Sequence, residues 1–303
     1  MKNNSMPKNL YLQPPKDFSF RHTIYSHGWC ELAPFQIDKE NWRLCYVFFD
    51  ANLKNPVAAE ISEGDDGKIK IEVAKDEINQ KSEEKIRRAV RHILRLDDNL
   101  SDFYKYTKVE KNLAWIGKQN AGRLLRSPTV YEDLVKTVCT TNCSWALTKK
   151  MVTNLVEKLG EADKDGKHAF PTAERMASVS AEFYRDEIRA GYRSAYFAEL
   201  AEKVASGKIN PESWLDSDLP TKELKKQMKR IKGVGDYAAE NLLKLVGRFD
   251  GLALDSWLRS QFYKKHNGEQ VCDDKQIEKH YERFGDWRGL VIWCDMTERW
   301  FQV

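Results

Sequence analysis

The sequence IKGVGDYAA, residues 231–239, joins a basic segment to an alanine-rich one. Two glycines separated by one apolar residue let the chain turn tightly and leave backbone N–H groups open at the start of the next helix. Such a turn suits a phosphate group. We therefore predict two helices joined by a phosphate-binding hairpin, which we define as residues 221–246.

Helical spacing and charge support this prediction upstream of the glycines. Residues 221–232 place Leu224, Met228 and Ile231 at helical intervals and surround them with six basic side chains and a single acid. The net charge of the whole chain, +4, is too small to identify a nucleic-acid binder. The informative feature is therefore that positive charge is concentrated at the proposed phosphate contact.

Twenty residues after Gly235 comes Asp255, and the hairpin, the loop of residues 247–254 and this aspartate resemble the signature of the helix-hairpin-helix DNA glycosylase superfamily. The loop contains glycines but lacks the proline of that signature. Other stretches are similar, in the same order, to segments of the 3-methyladenine DNA glycosylase II group and the 8-oxoguanine glycosylases: FRHTIYSHGWCELAPF (20–35), GRLLRSP (122–128), GYRSAY (191–196) and DWRG (286–289). The resemblance covers most of residues 18–300.

The segmental pattern predicts an α+β fold. Short runs rich in β-branched and aromatic residues, separated by turn signals, predict strands over residues 24–29, 42–49, 57–62 and 68–73. From residue 82 onward the apolar spacing is helical. We expect a domain of residues 1–80 with a small antiparallel sheet and a polar, disordered-like start, then a helical domain of residues 81–303. The resemblance implies that this body has two lobes flanking a cleft, with the hairpin and Asp255 on its rim.

Composition excludes several classes of protein. Apolar residues make up 41% of the 303 residues and charged residues 32%, which is typical of a folded chain, and no apolar run has membrane-spanning length. We expect no membrane association and, without a secretory signal, a place in the cytoplasm, or in the nucleus of a eukaryote. The six cysteines form no CxxC pair, so we expect neither a zinc site nor the iron–sulfur loop of endonuclease III relatives.

Asp255 is the predicted catalytic residue. Breaking an N-glycosidic bond develops positive charge on the deoxyribose, which a nearby carboxylate stabilises while it orients a water molecule. An aspartate before a helix also serves commonly as its N-cap, and the two roles are compatible.

The resemblance bears on the nucleophile as well. Bifunctional members carry a lysine two residues after the second hairpin glycine, where it attacks C1′ as an amine. That position is Tyr237 here, which matches the monofunctional, alkylbase-removing branch. We expect Lys244, two helical turns further on, to contact phosphate or to face solvent.

A flipped base needs aromatic side chains on which to stack. By position, Tyr237 and Trp287 are the predicted base-pocket residues, whereas a buried core position is the alternative for Trp287. Trp257, Trp293 and Trp300 are predicted to be core. Asn142 falls where 8-oxoguanine relatives place an asparagine that contacts the orphaned base, although an asparagine near a helix start is often only a cap.

The expected partner is double-stranded DNA that contains damaged bases. Lys229, Lys232, Gly233, Val234 and Gly235 are the predicted DNA contacts, with a monovalent cation at the hairpin as in relatives. We expect no organic cofactor and no catalytic metal, and the resemblance implies a monomer.

The predicted function is therefore a monofunctional DNA glycosylase that flips damaged purines, alkylated ones in particular, and hydrolyses the N-glycosidic bond in base excision repair. One alternative is a bifunctional 8-oxoguanine glycosylase with lyase activity, which Tyr237 opposes. The other is a non-catalytic protein that uses the hairpin only to bind DNA, which Asp255 opposes because an anion near phosphates does not help binding.

Overall fold

An antiparallel sheet precedes and packs on a body of helices in the computed structural model, which describes residues 7–49, 53, 55–73 and 78–301. The five strands are Lys8–Leu12 (β1), Gln36–Asp38 (β2), Arg43–Phe48 (β3), Val57–Glu63 (β4) and Ile69–Val73 (β5). Their order in the sheet is β1-β5-β4-β3-β2, and each neighbouring pair is antiparallel. Three of the four predicted strands are thereby confirmed.

One face of the sheet is apolar because side chains alternate along each strand. Leu10 lies opposite Ile71, Ile71 opposite Ile61, and Ile61 opposite Leu44, so four buried side chains form a row across four strands. The register is fixed by this row, since a slip of one residue would turn the whole apolar set toward solvent.

The helices form the rest of the fold. In the described residues they are, in chain order, Phe20–Ile24 (α1), Gln80–Ile93 (α2), Ser101–Val109 (α3), Ala114–Lys118 (α4), Val130–Thr140 (α5), Trp145–Leu159 (α6), Ala173–Ala177 (α7), Ala181–Asp186 (α8), Ser194–Ala205 (α9), Thr221–Met228 (α10), Asp236–Leu245 (α11), Ser256–His266 (α12), Asp274–Tyr281 (α13) and Arg288–Thr297 (α14). None of the described helices is long and apolar enough to cross a membrane. All six cysteine thiols are unpaired.

One strand prediction for the amino-terminal region is wrong, and part of the polar start forms a strand. Residues 24–29, predicted as a strand, belong to the end of α1 and the start of a 3₁₀ turn, Gly28–Glu31, because Ser19 caps α1 by accepting a hydrogen bond from the His22 N–H group. The polar start includes an edge strand, β1, because Leu10 and Leu12 reach the core by alternation. Residues 1–6 lie outside the described residues.

Two hydrophobic clusters divide the helical body into lobes. The larger cluster joins the sheet to α2, α5, α6 and both hairpin helices, and the smaller one joins α3 and α4 to α12, α13 and α14. The loop that follows the hairpin carries the chain from the first cluster to the second, through Phe249 and Leu252. The predicted fold class, a small antiparallel sheet followed by a two-lobed helical body, is confirmed.

Candidate active site

The hairpin forms the predicted turn between α10 and α11. Gly233 has a φ of +88°, and a Cβ atom there would come within 3.0 Å of the Tyr196 ring, so both backbone geometry and space require glycine. Val234 is buried in the core and anchors the turn. Gly235 occupies the N-cap position of α11 without a side chain, which leaves the first N–H groups of that helix available to an anion.

The lysines of the hairpin form ion pairs with surface carboxylates. Lys229 lies 2.8 Å from Asp236, and Lys232 lies 2.6 Å from Glu199. Both lysine side chains are exposed. Exposed pairs of this kind contribute at most about 1 kcal/mol, so a phosphate group can displace either carboxylate.

Asp255 begins α12 as its N-cap. Its Oδ1 accepts a hydrogen bond from the Leu258 N–H group at 2.7 Å, which confirms the predicted cap. The residue is only partly buried, and it lines a cavity of about 560 Å³. The carboxylate therefore meets a space large enough for a base.

Helix α11 holds the loop that precedes Asp255 by two hydrogen bonds. Glu240 accepts from the Ala253 N–H group at 2.5 Å, and the Lys244 ammonium donates to the Leu252 carbonyl at 3.0 Å. Ala253 has a φ of +54°, a conformation that side chains other than glycine rarely adopt. The two bonds fix this unusual turn and with it the position of Asp255.

Tyr237 lies beside Asp255 in the cavity. Its phenol lies close enough to the Asp255 carboxylate and to Thr140 for both to affect its pKa, while the Thr140 hydroxyl donates its own proton to the Thr137 carbonyl at 2.7 Å. Burial and the Asp255 charge raise the pKa of Tyr237 to about 12. The phenol is therefore neutral near pH 7, with its proton close to the Asp255 carboxylate.

Lys244 is 2% exposed, so the prediction that it contacts phosphate or solvent is wrong. Tyr237, Asn241 and Lys244 are spaced by four and three residues along α11, share one helix face and all line the cavity. Burial lowers the pKa of Lys244 to about 8, although the Glu240 and Asp255 carboxylates oppose that shift. A buried lysine whose pKa is close to neutral pH therefore lines the same cavity as Asp255.

Three tryptophans form one wall of the cavity. The ring centroids of Trp257, Trp293 and Trp300 are 5.7–5.9 Å apart, and all three side chains are half-buried. The core prediction is confirmed only in part: Trp257 and Trp293 pack against the smaller hydrophobic cluster, but all three side chains also line the cavity. Rings at these separations offer faces and edges on which a base can stack.

A neighbouring part of the wall comes from the segment of residues 25–31 and from the start of α6. Trp145 donates from its indole N–H group to Glu31 at 3.2 Å, and its ring lies against Gly28. A Cβ atom at Gly28 would come within 2.4 Å of that ring, so any larger residue would displace Trp145. His27 and Trp29 also line this wall.

Trp287 lies outside the cavity, and its assignment to the base pocket is wrong. Its ring stacks on Phe249 with centroids 5.4 Å apart and an interplanar angle of 19°, and it also contacts Phe103. The alternative, a core position, describes it better, because these contacts belong to the smaller hydrophobic cluster.

Asn142 is exposed in the turn between α5 and α6, where its φ of +46° is a conformation that asparagine tolerates. It is not the cap of α6, since the Ser144 side chain accepts from the Leu147 N–H group. Its neighbours Thr140 and Cys143 line the cavity. Asn142 thus lies close in sequence to the cavity mouth and remains open to solvent.

Several cavity residues were not predicted from the sequence. Lys244 could have been identified from the sequence, because its spacing from Tyr237 places both side chains on one helix face. Trp293 and Trp300 gave no local signal that distinguishes them from core tryptophans. Within the described part of the chain, no group of three or more His, Cys, Asp or Glu side chains is arranged to hold a metal ion.

Comparison with solved structures relates this geometry to known proteins. The 3-methyladenine DNA glycosylase of Archaeoglobus fulgidus superposes with a TM-score of 0.75 at 18% identity, over 98% of this chain and 99% of that one. The 8-oxoguanine glycosylase/lyase of Clostridium acetobutylicum, solved with double-stranded DNA, superposes with a TM-score of 0.72 at 17% identity, over 99% of this chain and 100% of that one. These similarities establish the fold.

Sequence similarity is weaker and partial. The N-glycosylase/DNA lyase of Saccharomyces cerevisiae is 22% identical over 170 residues, which are 52% of this chain and 45% of the yeast protein. The match thus spans less than half of that relative. No protein-family model matches the chain.

Proposed function

We propose that this chain, which has the fold of the helix-hairpin-helix DNA glycosylases, is a monofunctional DNA glycosylase that removes damaged purines, alkylated ones in particular. The observation that carries this proposal is the contact between Tyr237 and Asp255 at one end of a cavity walled by tryptophans. The phenol occupies the place where the bifunctional relatives carry their lysine.

Asp255 supplies the electrostatic part of the reaction. As the bond between C1′ and the base lengthens, positive charge grows on the sugar, and a fixed carboxylate stabilises that charge. The helix cap and the two hydrogen bonds from α11 to the preceding loop hold this carboxylate in place before DNA arrives.

Water is the proposed nucleophile. Tyr237 is neutral near pH 7 and has no amine with which to form a Schiff base. Asp255 can accept a hydrogen bond from a water molecule and orient it toward C1′. The product is then an intact strand with an abasic site, which breaks only in alkali.

The cavity suits a flipped purine. Trp257, Trp293 and Trp300 offer electron-rich faces, and many alkylated purines carry a positive charge that such faces attract. Outside the cavity, the hairpin N–H groups with Lys229 and Lys232 would bind the backbone of double-stranded DNA, with a monovalent cation at the turn.

The test is base release from duplex DNA that contains 7-methylguanine, beside an 8-oxoguanine duplex, with strand breaks scored before and after alkali. Release of 7-methylguanine with breaks only after alkali is the expected result. Full affinity for both duplexes with no base release from either would instead favour the non-catalytic DNA-binding protein.

Lys244 favours a second function, an 8-oxoguanine glycosylase with lyase activity. A buried lysine with a pKa near 8 is partly unprotonated at neutral pH, and a neutral amine can attack C1′. Its protonated form would repel a cationic base and would suit a neutral base with acceptor oxygens. Against this, the nitrogen donates to the Leu252 carbonyl at 3.0 Å. Borohydride trapping separates the two functions, because only a Schiff base is captured.

A further inference from the structure

His27 is fixed in the cavity wall by a hydrogen bond to a distant segment. Its Nε2 lies 2.7 Å from the Leu125 carbonyl oxygen. A carbonyl oxygen only accepts, so Nε2 carries the proton and donates it. The Leu125 N–H group in turn donates to the Ser26 hydroxyl at 2.9 Å, so two bonds tie residues 26 and 27 to residue 125.

Neighbouring rings hold the imidazole plane. The His27 ring lies 4.8 Å from the Trp29 ring, centroid to centroid, and meets the Trp293 ring edge-on at 6.5 Å. The Trp29 indole N–H group donates to Asp133 at 2.7 Å, and that of Trp293 donates to the Ser26 carbonyl at 2.9 Å. The ring is therefore preorganised and cannot turn without breaking several contacts.

The second ring nitrogen is an acceptor. Burial lowers the pKa of His27 to about 4, and the charges of Arg95, Lys136 and Lys244 act in the same direction. The imidazole is thus neutral near pH 7, with its one proton on Nε2. Among the described residues no group donates a hydrogen bond to Nδ1. Because Nδ1 is also not one of the fully buried atoms without a partner, it must be accessible. Its lone pair is accordingly open, in a residue that lines the cavity.

We propose that His27 Nδ1 accepts a hydrogen bond from an N–H group of the flipped base, and so selects purines that present such a donor to this wall. The inference rests on the proposed function, since it assigns one contact within the same cavity. Guanine-type lesions have a ring N–H and an amino group, and adenine-type lesions have an amino group. The purine 1,N6-ethenoadenine has no N–H group and therefore cannot make this contact.

Two substitutions separate this role from a merely structural one. In His27→Gln the amide can reach the position of Nε2 and keep the bond to Leu125, but nothing replaces Nδ1. In His27→Asn the shorter amide can replace Nδ1 as acceptor, and the bond to Leu125 is lost. If His27 served only to anchor its segment to Leu125, position 27 would tolerate glutamine better than asparagine.

The experiment measures single-turnover release of 7-methylguanine from a duplex by wild type and both variants. We expect a loss of about tenfold or more in His27→Gln, as for a buried polar group left without its partner, and a rate closer to wild type in His27→Asn. Affinity for a duplex with a tetrahydrofuran abasic analogue, and for one with 1,N6-ethenoadenine, should be the same in wild type and His27→Gln.

Wild-type rates in His27→Gln, or equal losses of affinity for the abasic and ethenoadenine duplexes, would overturn the inference. If wild type releases 8-oxoguanine and no 7-methylguanine, the proposed substrate has failed, and the same pair of variants tests His27 on 8-oxoguanine. If wild type releases neither base, the proposed function fails and the inference fails with it.

Discussion

Lys229 and Lys244 lie on the two sides of one hairpin, at the end of α10 and within α11, and their surroundings are opposite. Lys229 is exposed and pairs with Asp236 on the surface, whereas Lys244 is 2% exposed and donates to a backbone carbonyl beside Asp255. An exposed ammonium attracts phosphates without regard to sequence. A buried one has a lowered pKa and can position a loop or give up its proton. Under the proposed function, the same residue type binds DNA at one end of the hairpin and supports the reaction centre at the other.

The largest effect should come from the reaction centre itself. In Asp255→Asn, base release should fall by about 100- to 1,000-fold, because the amide cannot stabilise positive charge on the sugar. Asparagine is also a good N-cap, so the fold should persist. Single-turnover kinetics measure the loss.

Asp273→Asn is the matched control for that substitution. Asp273 caps α13 by accepting from the Gln276 N–H group at 3.0 Å, as Asp255 caps α12, but it does not line the cavity. Wild-type rates are expected from it. A similar loss in both variants would assign the role of Asp255 to capping alone.

The buried lysine should make stability depend on pH. Its pKa is about 8 when folded, against an ordinary value of 10.5, so between these values the unfolded chain binds more protons than the folded one. Relative to Lys244→Met, wild type should therefore gain stability as pH rises from about 8 to 10.5, by up to about 3 kcal/mol. Denaturant unfolding of both proteins measures the difference. A constant difference across this range would mean that the folded lysine titrates normally.

Two tryptophans test where the base stacks. Trp300 lines the cavity and Trp287 does not, and both are half-buried. Trp300→Leu should slow base release about tenfold, since stacking of one base on one ring contributes roughly 1–3 kcal/mol. Trp287→Leu should lower thermal stability and leave the rate per folded molecule unchanged. Slower base release in Trp287→Leu, with an unchanged rate in Trp300→Leu, would instead place Trp287 in the base pocket.

The smallest effect should come from the exposed lysine. Lys229→Gln should weaken binding to every duplex severalfold and reduce the slope of log affinity against log salt by about one. Lys158 pairs with Glu187 on the surface of α6 with similar exposure, so Lys158→Gln is the control and should change neither quantity. An unchanged slope in Lys229→Gln would place DNA elsewhere.

The hairpin could be predicted from the sequence because its determinants are local. Gly233 and Gly235 set the turn, and the basic face of α10 follows from helical spacing. Asp255 could be placed through the resemblance, whose signature has an aspartate after the hairpin, and its cap role follows from its position before the next helix.

The cavity could not be predicted, because its walls come together only through tertiary packing. The segment around His27, the start of α6 and the end of α14 are far apart in the chain, and no local pattern distinguishes Trp293 from Trp287. The strand predicted over residues 24–29 fails for a related reason. Those residues pack between the lobes. Their aromatic side chains line the cavity and do not belong to a pleated sheet.

Borohydride trapping on a 7-methylguanine duplex tests most directly whether water is the nucleophile and Lys244 only holds the Asp255 loop. Wild type and Lys244→Met would be compared during turnover, with strand breaks read before and after alkali. We expect base release by wild type, no covalent protein–DNA adduct, and breaks only after alkali. An adduct that forms with wild type and is lost in Lys244→Met would show that the buried lysine, and not water, is the nucleophile.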